Sequence, residues 1–362
     1  MSATFDFRAQ QARTRSASTF LVAFFLVLAA TVSFAVGLLA AALLSSGENM
    51  STGGTAWPEI DPAVVAIAAG LTLVMVVGAA LIRVVSFSGD GAKVARALGG
   101  EEVTEDTWNL SKRRYLNIVE EMAIASGLPR PRAFVIMHEP GINAFAAGGD
   151  HEHAAVGVTH GALAKLTRPE LAGVVAHELA HVSNRDSRLN IHLMGMVYGL
   201  NALYVLGRGI FRSSAIASRR HRGRSQAPML LIGLMLIILG TLGALAGRIL
   251  QSAVSRQRES LADATGVQFT RNPLGLANAL KKIGATTAGS RVNGTHAEEA
   301  RHMFFATAIG PFGGLFATHP PLVERIRALD PAFDPETDPI WAKDDKTILR
   351  ETRRDLVANP WE

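Results

Sequence analysis

The sequence predicts a mostly helical α+β chain with an apolar helical hairpin at its N-terminus and a second apolar hairpin inserted into a soluble domain. Three observations predict it. Two uncharged runs, Phe20–Leu44 and Ala63–Ile82, lie near the start. Two further apolar stretches, Ile191–Gly207 and Met229–Gly247, interrupt a later section rich in charge. Between these pairs, residues 88–190 mix helix-spaced and strand-like patterns.

Each early run is long enough to span a bilayer, which takes about 20 apolar residues in a helix. The first is too long for the apolar part of a signal peptide and a second span follows it, so it reads as a retained anchor. Arg8, Arg13 and Arg15 precede the first span, and Arg83, Lys93 and Arg96 follow the second. The connecting loop holds Glu48, Glu59 and Asp61 and no Lys or Arg. The positive-inside rule then places the N-terminus and everything after Ile82 in the cytoplasm. Residues 1–87 form a tail and transmembrane hairpin, with spans at 20–44 and 63–82.

Residues 88–330 form the soluble domain, with the apolar hairpin 191–250 as an insertion. The stretch KRRYLNIVEEMAIASG reads as an amphipathic helix closed by Gly127. LPRPRAFVIM reads as a turn into a strand. NAFAAGGDHEHAAVGVTHGAL reads as two strands about the turn Gly148-Gly149-Asp150. His151 and His153 near that turn, and His138, His160, His192, His296 and His302 elsewhere, read as ordinary histidines. The segment 208–226 between the later apolar stretches carries six arginines. If both stretches cross, this loop lies outside, against the rule. Either the hairpin bends back without crossing, or the first two spans fix the topology and the loop is dragged across. Without interleaved aromatics, and beside a membrane span, those arginines suit anionic lipid headgroups and not nucleic acid. Residues 331–362 read as a polar tail. The net charge is +5, and the absence of cysteine excludes disulfides, a thiol nucleophile and a thiolate metal site.

The motif carrying chemistry is GVVAHELAHVSNRDSRLN, Gly173–Asn190. Thr167, Pro169 and Glu170 make a helix start, with Glu170 three after Thr167 as in a capping box. Leu171, Val174, Val175 and Leu179 give a helix-spaced apolar face. On that helix His177 and His181, four apart, project from one face. Two imidazoles holding Zn²⁺, with the Glu178 carboxylate taking a proton from water, is the chemistry of HExxH peptidases. The competing reading is a helix with two surface histidines and a solvated Glu. Asn184 and Ser187 stand where a metzincin needs Gly and His, so that class is excluded. A carboxylate from a second helix is then required. The best candidate is Glu259 in SRQRESLADATG, with Asp263 one turn later to accept a hydrogen bond from the far nitrogen of His177. Asp186 is a second candidate outer carboxylate.

The segments NAFAAGG, ELAGVVAHELAHVSNRDSRLN, SRQRESLADATG and THPPLVERI stand in the order that resembles the HtpX-like membrane zinc metallopeptidases, relatives of the CAAX prenyl endoprotease. The resemblance covers roughly residues 92–329. It implies a zincin-like metalloprotease domain, one Zn²⁺ per chain on His177, His181 and Glu259, and Glu178 as base. It also implies a multi-pass protein of the bacterial inner membrane with a cytoplasmic-facing site, cleaving misfolded or damaged membrane proteins. Asn143, Ala144 and Phe145 would line the substrate cleft, and His319 and Arg325 would lie near the scissile carbonyl. Two other readings remain: a narrow-specificity processing protease, and a catalytically silent, zinc-stabilised membrane scaffold.

Overall fold

The computed structural model describes residues 7–52, 60–87, 89–148, 150–220, 227–286 and 319–358. Gly149 of the hairpin turn, the tip of the arginine-rich loop, His296 and His302 lie outside them. The chain divides into two compact units, one of Met1–Ser86 and Ile191–Leu250, the other of Phe87–Asn190 and Gln251–Glu362.

The apolar unit contains α1 (Phe7–Thr52), α2 (Pro62–Phe87), most of α7 (Asp186–Arg220) and the first part of α8 (Ala227–Thr270). Among the described residues, three segments are long and apolar enough to cross a membrane: Val22–Leu43, Pro62–Ser86 and Pro228–Thr270. The chain is thus a membrane protein with three apolar spans. Helix α7 is not among the three, yet it packs into the unit through small residues. A methyl added at Gly199 would lie 2.4 Å from the Val76 carbonyl oxygen of α2, and one at Gly240 would lie 2.4 Å from the Tyr204 amide nitrogen of α7. Such close backbone approach is how helices associate where no hydrophobic driving force separates them from lipid. Phe25, Ala29, Val32, Val76, Ala80, Leu200, Leu203 and Leu236 fill the centre. Both late helices run far beyond their apolar stretches. In α8 no proline interrupts the chain after Pro228, and the 44-residue helix includes Glu259 and Asp263.

In the other unit, a four-stranded sheet has the order β1 (Glu101–Glu102), β2 (Arg132–Ile136), β4 (Ala155–Thr159), β3 (Ala144–Ala147). Strands β2 and β4 are parallel, and β3 pairs antiparallel with β4, as the turn signal predicts. That leaves β3 on an edge. Thr159 N–H donates to Asn143 O at 3.0 Å, so the Phe145–Gly157 and Ala147–Ala155 pairs continue the ladder bonds. The N–H and C=O groups of Ala144 and Ala146 consequently point away from β4. On one face of the sheet lie α4 (Leu110–Ser126) and α6 (Arg168–Ser183), around Tyr115, Ile118, Val158, Val175 and Leu179. On the other lies α3 (Gly91–Ala97), a helix the sequence reading missed, around Ala95, Phe134 and Phe145. Gly127 closes α4 in the left-handed region at φ 67°, as expected.

The start of α6 is fixed from two sides. Glu170 accepts the Thr167 N–H at 2.7 Å, completing the capping box. The same carboxylate oxygen accepts Lys282 Nζ of α9 (Pro273–Ala285) at 2.7 Å, and that ammonium also donates to Lys165 O at 3.0 Å. Residues 331–358 dock onto this node. Helix α11 (Asp345–Ala358) buries Ile348 and Thr352, and Thr352 Oγ1 donates to Lys165 O at 2.9 Å. Lys281 Nζ holds Asp330 and Asp338 at 2.8 Å each. Replacing Lys282 with Met strands a buried carboxylate, a change that typically costs about 3–5 kcal/mol. A drop of that size in unfolding free energy, read from a lowered denaturant midpoint of the solubilised protein, is expected, and an unchanged midpoint would show that the node is solvated.

Candidate metal centre

The site is assembled from α6, α8, the turn before α7, and α10 (Leu322–Leu329). Helix periodicity puts His177 and His181 on one face of α6, with ring centroids 4.7 Å apart. Helix α8 comes against that face at Gly266, where an added methyl would sit 3.0 Å from His177 N. Glu259, Asp263 and Gly266 share one face of α8 by their spacing. The glycine admits the close approach, and the two carboxylates then reach the histidines.

His177 Nε2 and His181 Nε2 face each other at 3.1 Å. Glu259 Oε2 lies 3.6 Å from the first and Glu259 Oε1 3.5 Å from the second. Behind the rings, His177 Nδ1 is 2.9 Å from Asp263 Oδ1 and His181 Nδ1 is 2.8 Å from Asp186 Oδ2. A carboxylate can only accept, so each Nδ1 carries the proton and each Nε2 presents a lone pair. Two lone pairs and a carboxylate converging at these distances repel unless a cation lies among them. A tetrahedron with zinc–ligand bonds of about 2.0–2.1 Å has edges of about 3.3 Å, close to the separations observed. The donor set therefore fits zinc. Among the described residues, His177, His181 and Glu259 form the one group so placed. His151 and His153 do not, and His153 Nδ1 instead bonds Asp150 at 2.8 Å at the exposed hairpin tip.

Three of the central groups are buried, with His177 0% exposed, Glu178 2% and Glu259 4%, while the His181 side chain is 16% exposed. Burial holds the His177 ring down at a pKa of about 4, against the opposing pull of Asp263, which keeps it neutral as a ligand must be. Burial pushes the Glu178 carboxyl up to about 8, while the Ala146 N–H of the β3 edge donates to it. Arg325 of α10 sits beneath. Its Nε and Nη2 donate to Asp263 Oδ2 and Oδ1 at 2.9 and 2.7 Å, and its Nη1 lies 3.3 Å from Glu259 Oε2. Burial works against that guanidinium's charge, but the Asp263 and Glu259 carboxylates raise its pKa. His319 Nδ1 stands 3.0 Å from Glu259 Oε1, with 11% of its side chain exposed.

The structure thus gathers His177, Glu178, His181, Asp186, Glu259, Asp263, His319 and Arg325 in one place. Asn143 is buried at the start of β3, its Oδ1 accepting the Ala144 N–H at 2.9 Å. Ala144 faces α6, whereas Phe145 turns to the α3 side and packs on Gly157. Strand alternation makes that unavoidable, so Phe145 meets the edge only through its backbone. Arg258 was missed by the sequence reading: its Nη1 closes on Asp186 Oδ1. A charged residue beside a ligand on a helix gave no signal of its own.

Two imidazoles and a glutamate from a second helix, with a glutamate following the first histidine, define a zinc peptidase of the HExxH-plus-Glu type. The family model for peptidase family M48 matches residues 109–332, and the chain belongs to that family as an HtpX-type membrane metalloprotease. It is similar to the protease HtpX homolog of Caldanaerobacter subterraneus subsp. tengcongensis, 46% identical over 219 residues, 59% of this chain and 70% of that one. The protease HtpX homolog of Ligilactobacillus salivarius is 37% identical over 266 residues, 72% of this chain and 85% of that one. Among solved structures, S. mikatae Ste24p matches with a TM-score of 0.46 and 18% identity, covering 72% of this chain and 58% of that one.

Proposed function

We propose that the protein is an endopeptidase of membrane-protein quality control, cutting extended segments of misfolded membrane proteins from the cytoplasmic side of a bacterial inner membrane. The observation that carries the reading is the β3 sheet edge, which lies beside the metal ligands and bonds Glu178 through Ala146. The N–H groups of Ala144 and Ala146 are taken by Asn143 Oδ1 and by Glu178, so the edge offers an extended peptide the outward C=O groups of these two residues, and β-strand addition selects for backbone rather than side chains. The side chains of this edge on the α6 side are alanines, Ala144 and Ala146, which impose little choice. A chain that is unfolded supplies such a strand; a folded one does not. The charge bias around the first two spans supports the cytoplasmic orientation.

Zinc held by His177, His181 and Glu259 supplies Lewis acidity toward a peptide carbonyl and toward water. Glu178 takes a proton from the attacking water and returns it to the leaving amine. Its bond from Ala146 N–H holds it against β3. His319, partly exposed above Glu259, is our choice for the donor to the developing oxyanion. Arg325, bound on both sides by carboxylates, positions Asp263 and Glu259 instead. Asp263 and Asp186 fix the ring orientations of His177 and His181.

The test uses inverted membrane vesicles carrying the zinc-loaded protein with a folded membrane protein or a destabilised variant of it. The destabilised variant should be cut at several places from the cytoplasmic face and the folded parent spared. One defined cut in the folded parent would transfer the assignment to a processing protease, and no cut in either would favour the scaffold.

A further inference from the structure

We propose that Arg258 is a positioning residue for the metal ligand His181, acting through Asp186. The inference rests on the ligand set described above. Its ground is a likeness between the two sides of the site. Behind His177 stand Asp263 and then Arg325, whose guanidinium occupies both oxygens of that carboxylate. Behind His181 stand Asp186 and then Arg258. Each ligand imidazole is backed by a carboxylate, and each carboxylate by a guanidinium.

The second relay is as buried as the first, with Asp186 1% exposed and Arg258 7%. Its geometry is built with evident constraint. Arg185 is held at φ 59°, in the left-handed region that non-glycine residues seldom occupy, and this sharp corner turns Asp186 back beneath His181. Asp186 opens α7, and Arg258 adjoins Glu259 on α8. One turn of α8 therefore supplies both a direct ligand and the group that holds the opposite ligand's carboxylate.

The chemical role follows from what a carboxylate does when half its hydrogen-bonding capacity is unassigned. Asp186 has two equivalent oxygens and can rotate about its side chain. With Oδ1 drawn into an ion pair with Arg258 Nη1, Oδ2 is committed to His181 Nδ1 at 2.8 Å. That commitment selects the tautomer with the proton on Nδ1 and leaves the Nε2 lone pair for the metal. Loss of an outer partner of this kind typically lowers metal affinity about 10–100-fold.

The experiment measures metal affinity and not turnover. The full-length protein in detergent is stripped with a chelator, and Zn²⁺ binding is measured by competition with a chromogenic chelator. Co²⁺ absorption reports the ligand field. Arg258→Met, which keeps the bulk, should weaken zinc about tenfold or more and alter the Co²⁺ spectrum; Arg258→Lys should recover part of the loss. Asp186→Asn should act similarly, and the double variant Arg258→Met/Asp186→Asn should lose no more than the worse single one, because both break one relay. Wild-type affinity in Arg258→Met, or additive losses in the double variant, would overturn the proposal. If the Met variant does not fold, Arg258→Lys alone decides: affinity between wild type and Asp186→Asn supports the relay, and wild-type affinity refutes it. His181→Ala is measured in parallel. If it binds zinc as wild type does, the ligand set itself is wrong, a failure distinct from that of Arg258.

Discussion

Glu178→Gln should abolish cleavage while leaving one zinc bound per chain. The substitution keeps the side chain's size and leaves His177, His181 and Glu259 untouched. It removes the one carboxylate near the ligands that is committed neither to a histidine nor to Arg325 in the geometry described. A positioned acid–base group contributes about 10²–10⁴-fold to rate, and here the same group serves both proton transfers, so the loss should lie at the upper end of that range. Glu259→Ala should behave oppositely and lose the metal, because it takes away a donor at 3.5–3.6 Å from both imidazole nitrogens. Metal content by atomic absorption, beside cleavage of casein, separates the two. If Glu178→Gln cut casein at the wild-type rate, another group would be the base.

Why were the ligands legible in the sequence while their supports were not? The α6 signals are local. A capping box, an apolar period and a four-residue histidine spacing all lie within Thr167–His181, and each is read without knowing what the helix touches. Glu259 and Asp263 were legible by the same four-residue rule, applied to a helix that needed to pack against α6. The pairings Arg325–Asp263 and Arg258–Asp186 join residues separated by 62 and 72 positions, and no periodicity announces which charge meets which. Arg325 entered only through resemblance, and Arg258 not at all. The orientation of Phe145 illustrates a different limit. NAF was read as one cleft-lining unit, but strand geometry sends alternate side chains to opposite faces, and the large ring went to the face with room for it. Residues 331–358 show a third limit. Their charges look like solvated tail, yet Ile348 and Thr352, four apart, mark a buried helical stripe whose partners lie on α5 (His160–Lys165) and α9. Helix α7 was legible as an apolar stretch, but its place in the bundle rests on Gly195 and Gly199, whose meaning depends on a neighbour the sequence does not name.

Arg325→Met should destabilise the metal-free protein far more than the zinc-loaded one. Without the metal, Arg325 is the fixed cation among Glu178, Glu259 and Asp263, with Nη1 toward Glu259 and two bonds to Asp263. Methionine fills the space but leaves those carboxylates, 2–6% exposed, facing one another without their guanidinium. Breaking a buried pair from one side costs about 3–5 kcal/mol. Zinc brings two positive charges to the same carboxylates, so it should recover part of that cost. Binding to the folded state alone stabilises by RT ln(1 + [L]/Kd), about 4 kcal/mol at a thousandfold excess over Kd. The gap between metal-free and zinc-loaded melting temperatures should therefore widen in Arg325→Met relative to wild type. The alternative places the guanidinium on the substrate's developing oxyanion. It predicts a fall in kcat with the two melting temperatures unmoved, since a group that acts on substrate holds nothing together in its absence. The bidentate bond to Asp263 weighs against that alternative: a guanidinium turned toward a carbonyl would have to release the carboxylate that orients His177.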